Sequence, residues 1–269
     1  MSIVNEIYDW IQEGNEGYKT NPDNFGPSSI GGCGRQLAYK KLGVETPTKI
    51  EASSLLKMDG GTIYHDSYLN RWKEAGIIHT VEKAGEKEAF GLQWKYFVDG
   101  IGTDEKGEFI LEYKTIYGLG FRMVEKAPKL DHVYQSLNYT FLEDIPRAKI
   151  LYHGRDNGYL LSYEITRDDK AVYLDGVKTD YLEQFMAEIE KLKVVRKYID
   201  AGTLPDAPYK INGKKKPDGS MSNDFVKDGV KIKDPWQCSY CAYKTACKGA
   251  EIQAFMDSSS QFMINGEYK

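Results

Sequence analysis

Apolar residues along this chain recur with two periods, and the switches between them outline its elements. Over 1–19, Ile3, Ile7, Trp10 and Ile11 recur at helical spacing and predict an amphipathic helix. NPDNFGPSSIGGCGR is rich in turn formers, and RQLAYKKLG after it predicts a short helix stopped at Gly43. A helix is predicted over about 61–75, with Ile63, Tyr64, Tyr68 and Trp72 on one side and Gly76 at its end. The period then shortens: two β-rich runs, roughly 93–103 and 108–115, flank the turn DEKG and predict a hairpin. LDHVYQSLNYTFLE at 130–143 predicts a helix, and RAKILYHGRDNGYLLSYEI a second hairpin around GRDNG. A long helix is predicted over about 170–200, its apolar side marked by Val177, Tyr181, Phe185, Ile189, Leu192 and Ile199, with AGTLPDAP ending it. The pattern is that of a mixed α/β chain, a small central sheet with helices packed on it.

Residues 209–233 break the pattern, with seven lysines, three aspartates and little apolar content. They read as a solvated linker or, alternatively, a mobile DNA-contacting flap. The whole chain of 269 residues carries a formal charge of −4, which argues against a protein that coats DNA nonspecifically. It leaves room for an enzyme that grips DNA in a local basic cleft. No apolar run is long enough to span a membrane, and MSIVNEIYDW lacks a signal peptide's basic and apolar regions, so a cytoplasmic protein is expected. Of the four cysteines, Cys238, Cys241 and Cys247 form C-x2-C-x5-C, while Cys33 lies far upstream. With no secretory signal, this clustering points to a metal site, and the spacing suits zinc and an iron–sulfur cluster equally.

The central hairpin carries the candidate chemistry. In FILEYKT at 109–115, strand alternation points Glu112 and Lys114 to the same face of an otherwise apolar strand. Asp99, near the middle of the preceding strand, can sit across the ladder from Glu112. Two adjacent carboxylates repel unless a cation holds them, and hard ions such as Mg²⁺ take oxygen ligands in this way. A lysine beside such a cation can orient a water, so the group suits metal-assisted hydrolysis of a phosphodiester. Asp104, in the turn, is a second acid that competes with Asp99 for this role. His65 lies on the helix before the sheet, and Gln135 and Tyr139 share one helix face after it.

D-G at 99–100 followed by E-Y-K-T at 112–115 resembles the core of the PD-(D/E)XK nuclease superfamily, without its usual first proline. G-x-x-x-H at 61–65 and Q-x-x-x-Y at 135–139 resemble accessory motifs of the RecB-like branch. Cys33 in C-G-R-Q-L-A-Y and the C-terminal C-x2-C-x5-C after G-T-L-P resemble its iron–sulfur members. Those include CRISPR-associated RecB-like exonucleases, the AddB nuclease domain and phage-encoded relatives. The motifs run in order from about residue 28 to 248.

This resemblance implies one nuclease domain over 1–269 with a restriction-endonuclease-like core at about 60–200. It implies cluster-binding segments at about 28–43 and 234–250, with 209–233 as an insert longer than the family's usual link. His65, Asp99, Glu112 and the carbonyl of Tyr113 would ligate Mg²⁺ or Mn²⁺, and Lys114 would activate water. Gln135 and Tyr139 would hold the DNA backbone. Cys33, Cys238, Cys241 and Cys247 would hold a structural 4Fe–4S cluster joining the N- and C-terminal segments. The expected activity is exonucleolytic, on single-stranded or frayed DNA ends, with Tyr117 and Phe121 as aromatics that stack on bases. Alternatives are a nuclease that trims DNA for CRISPR spacer integration beside an integrase, a non-catalytic iron–sulfur DNA-binding module, and an unrelated zinc protein.

Overall fold

The computed structural model describes residues 2–13, 23–44, 52–206, 210–212, 224–227, 230–232, 241–243 and 246–247. The chain divides into two compact units, Met1–Gly32 with Glu51–Arg196, and Cys33–Ile50 with Lys197–Lys269. Among the described residues the helices are α1 (Ile3–Glu13), α2 (Gly34–Lys41), α3 (Ala52–Glu74), α4 (Gly118–Val124), α5 (Leu130–Glu143) and α6 (Tyr181–Asp200). None is long and apolar enough to cross a membrane.

The first unit is built on a seven-stranded sheet. Its strands are β1 (Thr80–Ala89), β2 (Leu92–Asp104), β3 (Gly107–Ile116), β4 (Arg147–Gly154), β5 (Leu160–Arg167), β6 (Val172–Leu174) and β7 (Val177–Thr179). They lie side by side in chain order. Every pair is antiparallel except β3 and β4, which run parallel. A parallel pair needs a crossover, and α4 and α5 supply it.

Both faces of β3 are covered, which is why Phe109–Tyr113 reads as an apolar run interrupted by a single acid. On one face Phe109, Leu111 and Tyr113 pack with Leu69 of α3 and Ile78. On the other, α5 lies across β3 and β4. Glu112 and Lys114 alternate onto the α5 side.

Four segments depart from the sequence pattern. β1 was not expected; it is an edge strand whose charged residues hide its period. α3 starts nine residues before the expected 61, running straight through Gly60 and Gly61. A Cβ at Gly61 would lie 3.2 Å from Arg155 Nη2, so the missing side chains make room for that guanidinium. The expected helix over 170–200 begins only at Tyr181. Before it β6 and β7 form a hairpin around Asp175 and Gly176, both at positive φ, and Val177 is on a strand and exposed. Within 209–233, three short strands replace part of the expected loop: β8 (Lys210–Asn212), β9 (Asp224–Lys227) and β10 (Val230–Ile232), in the order β10-β9-β8. Residues 14–19 of the first expected helix lie outside the described residues.

The second unit contains α2 and β8–β10. Within it Tyr39 stacks on Tyr243 with ring centroids 5.4 Å apart, and Arg35 Nη1 donates to the carbonyl of Pro205 at 3.3 Å.

Candidate active site

The sheet opens around one residue. The β2–β3 ladder ends at Gly100↔Leu111, one step short of a pair between Asp99 and Glu112. The β1–β2 ladder passes from Val81↔Gly100 to Lys83↔Val98, leaving out Glu82 and Asp99. Asp99 is thus the point where β2 parts from β3 and skips one pair with β1. Its carboxylate replaces the lost backbone partner: Tyr113 N–H donates to Asp99 Oδ2 at 2.7 Å. Asp99 Oδ1 lies 3.1 Å from His65 Nε2, which reaches the gap from α3.

Glu112 sits one residue from that contact and is 0% exposed. Lys114 forms an ion pair with it, and Glu112 Oε2 has no hydrogen-bond donor. Burial pushes the Glu112 carboxyl above its usual range and the negative charge of Asp99 adds to this, against the pull of Lys114. Burial works against the Lys114 ammonium, yet the charges of Glu112 and Asp99 hold it above the ordinary lysine value. His65 behaves similarly: burial lowers it, and the hydrogen bond and charge of Asp99, with the charge of Glu82, more than offset that. The protein therefore gathers two acids and a histidine, with one lysine to balance them. A buried carboxylate oxygen without a donor, beside a second acid and an imidazole, is a donor set that fits a hard divalent cation.

Gln135 and Tyr139 meet on α5, with Gln135 Nε2 donating to Tyr139 Oη at 3.0 Å. Burial raises the Tyr139 phenol well above its usual value, and the charges of Glu112 and Asp99 raise it further, so it faces the acids as a neutral hydroxyl. Asp104 is far from free. Arg147 donates to both its oxygens, at 2.8 and 3.0 Å, and Lys149 Nζ lies 2.6 Å from Oδ2. It closes a clamp at the other end of the hairpin, so Asp99 alone of the two joins the acid cluster.

Two neighbours carried no signal in the sequence pattern. His132, one turn before Gln135 on α5, lies with Nδ1 2.9 Å from Tyr152 Oη. Burial pulls its pKa down, and the Lys114 charge pulls it further. Glu82 comes within 3.6 Å of His65 Nδ1. Both are buried or placed by tertiary packing, which periodicity does not encode.

The expected stacking pair divides. Tyr117 is 56% exposed, with the Arg155 guanidinium 5.0 Å from its ring centre. Phe121 is 4% exposed and packs inward from α4, so it has no face to offer a base. In the second unit, no disulfide joins Cys33, Cys241 or Cys247. Burial raises the Cys241 thiol and the nearby charge of Cys33 contributes, which places the two sulfurs in one neighbourhood. Cys238 lies outside the described residues.

No family model and no curated protein matches the sequence. Among solved structures, the chain is similar to SSO0001 with TM-score 0.50 and 15% identity, covering 92% of this chain and 96% of that one. It is also similar to an alkaline exonuclease, LHK-Exo from Laribacter hongkongensis, at TM-score 0.46 and 14% identity, over 67% of this chain and 92% of that one. LHK-Exo in complex with dAMP matches at TM-score 0.46 and 13% identity, over 73% and 95%. The likeness to SSO0001 is one of fold.

Proposed function

We propose that this chain is a metal-dependent DNA exonuclease of the PD-(D/E)XK type, acting on single-stranded or frayed ends. The observation that carries the reading is Glu112: a fully buried carboxylate with one oxygen lacking a donor, set beside Asp99, His65 and Lys114. In this reading His65, Asp99, Glu112 and the Tyr113 carbonyl hold Mg²⁺ or Mn²⁺. The bound cation supplies Lewis acidity for the phosphodiester and acidifies a water. Lys114, kept protonated by two acids, orients that water and balances charge developing on the phosphorus oxygens. Gln135 fixes the Tyr139 hydroxyl, and the pair holds the DNA backbone. The exposed ring of Tyr117, backed by Arg155, offers a base a stacking surface, which favours single strands.

We further propose that Cys33, Cys238, Cys241 and Cys247 hold a 4Fe–4S cluster. The gathering of Cys33 with the C-terminal segment in one unit supports it, as does the shared neighbourhood of Cys33 and Cys241. The cluster would supply cross-linking of distant chain segments, and the stacked Tyr39 and Tyr243 would shield it.

The test uses anaerobically purified protein, Mn²⁺ and single-stranded DNA labelled at either end, with Lys114→Ala beside wild type. Wild type should shorten the DNA from an end, and the variant should lose about 10²- to 10³-fold in rate, the order of removing one charge-stabilising group. Iron content and visible absorbance of the same sample test the cluster. Folded, iron-loaded protein that leaves both labels intact would overturn the catalytic reading for the isolated chain.

A further inference from the structure

We infer that Glu82 is a positioning residue for His65, holding the Nδ1 side of the ring so that Nε2 faces Asp99 and the cation site. The inference rests on the reading of His65 as a ligand. The imidazole lies between two carboxylates, with Asp99 Oδ1 3.1 Å from Nε2 and Glu82 Oε1 3.6 Å from Nδ1. Asp66 Oδ1 stands further off on the Nδ1 side, at 3.8 Å. A neutral imidazole carries one proton, and the carboxylate facing one nitrogen decides where it sits. Asp99, the nearer acid, takes the Nε2 hydrogen bond; a cation bound at Nε2 leaves the one ring proton at Nδ1, where Glu82 faces it. Such a carboxylate behind a ligating histidine fixes both ring orientation and basicity.

The backbone at Glu82 explains how an edge strand reaches α3. In a regular strand Val81 and Lys83 would share a face. Here Val81 packs with the cluster of Leu69 and Leu111 on the α3 side. Lys83 instead pairs with Glu143, and Lys87 donates to the Leu142 carbonyl, both on α5. The strand changes face at Glu82, whose φ of 48° is left-handed. Asn or Gly fits that conformation better than Glu, so a merely structural position has no need of this side chain.

Three variants test the inference: Glu82→Gly, which keeps the backbone and removes the carboxylate, Glu82→Gln, which keeps an acceptor, and Glu82→Gly in a His65→Ala background. The readout is calorimetric Mn²⁺ affinity, with urea stability as the check on folding. Glu82→Gly should fold at least as stably as wild type and weaken Mn²⁺ binding about 10- to 100-fold. Glu82→Gln should restore part of that loss, and in the His65→Ala background Glu82→Gly should cost nothing more. Mn²⁺ affinity within about twofold of wild type, on the same ten-fold scale, overturns the inference. An equal loss in the His65→Ala background also overturns it, since Glu82 would then touch the cation itself. If wild type binds no Mn²⁺, the cation site falls, and the inference with it.

Discussion

Replacing Lys114 by Met keeps most of the side chain and deletes its charge. Glu112 is then a buried carboxylate with no counter-ion in contact, because Lys114 is its ion-pair partner and Oε2 already lacks a donor. Removing one member of a buried pair costs about 3–5 kcal/mol. The lysine side chain is 27% exposed, which favours the lower end of that range. Glu112 can also escape by taking up a proton, so the cost depends on pH. Burial raises its folded-state pKa above the usual 4.5, and losing Lys114 raises it further. A group raised in the fold contributes stability that is present below its unfolded pKa and lost as pH rises through the folded one. In urea titrations without divalent cations, we expect Lys114→Met to be about 3 kcal/mol less stable than wild type at pH 8. At pH 5 the deficit should shrink to about 1 kcal/mol or less. Adding Glu112→Gln should return the double variant to within about 1 kcal/mol of wild type at both pH values, because no buried charge is left unpaired. An equal deficit at pH 5 and pH 8, or a double variant as unstable as the single one, would refute the reasoning.

Other outcomes follow from the same structure. Gly85→Ala places a Cβ 2.2 Å from the Tyr96 ring, so the variant should lose about 1–3 kcal/mol in thermal or urea unfolding. Phe121→Ala should lose about 3–5 kcal/mol of stability, with single-strand affinity per folded molecule unchanged. Tyr117→Ala should do the reverse, leaving stability within about 0.5 kcal/mol and weakening single-strand binding by about 1–3 kcal/mol in fluorescence anisotropy. Arg147 and Lys149 hold Asp104 well below the usual carboxylate range, so its contribution is present above about pH 4 and lost as pH falls further. Asp104→Asn should therefore lower the urea midpoint at pH 7 and flatten the acid limb of the stability profile, while Mn²⁺ affinity stays unchanged.

The hairpin of β2 and β3 was legible because its signals are local: a polar turn between two β-rich runs, and an alternation that puts Glu112 and Lys114 on one side. α5 was legible for the same reason, its apolar residues recurring at one period from Leu130 to Glu143. The edge strand β1 was not. Lys83, Glu86, Lys87 and Glu88 face solvent or reach across to other elements, and the change of face at Glu82 breaks the two-residue period. Glu82 was hidden along with it. The hairpin at 172–179 did carry a signal, Asp175–Gly176 between branched residues, but the strong helical period after Tyr181 extends backward through it. Phe121 and Tyr117 show the limit from another side: aromatic identity is visible in a sequence, whereas which ring faces water depends on how α4 docks.

Asp99 divides its two oxygens between different tasks. Oδ2 is bound to the Tyr113 amide, standing in for a backbone carbonyl, and Oδ1 is turned toward His65. Rotation about either side-chain bond would break the first contact, so the second oxygen is aimed before any ligand arrives and loses little freedom when one does. The position also becomes selective for side-chain length. A glutamate there has the same charge but one more carbon, and could keep the strand or the ligand geometry, not both. If Asp99 ligates the proposed cation, folding and chemistry constrain it at once, and the longer acid cannot serve both even though its charge is the same.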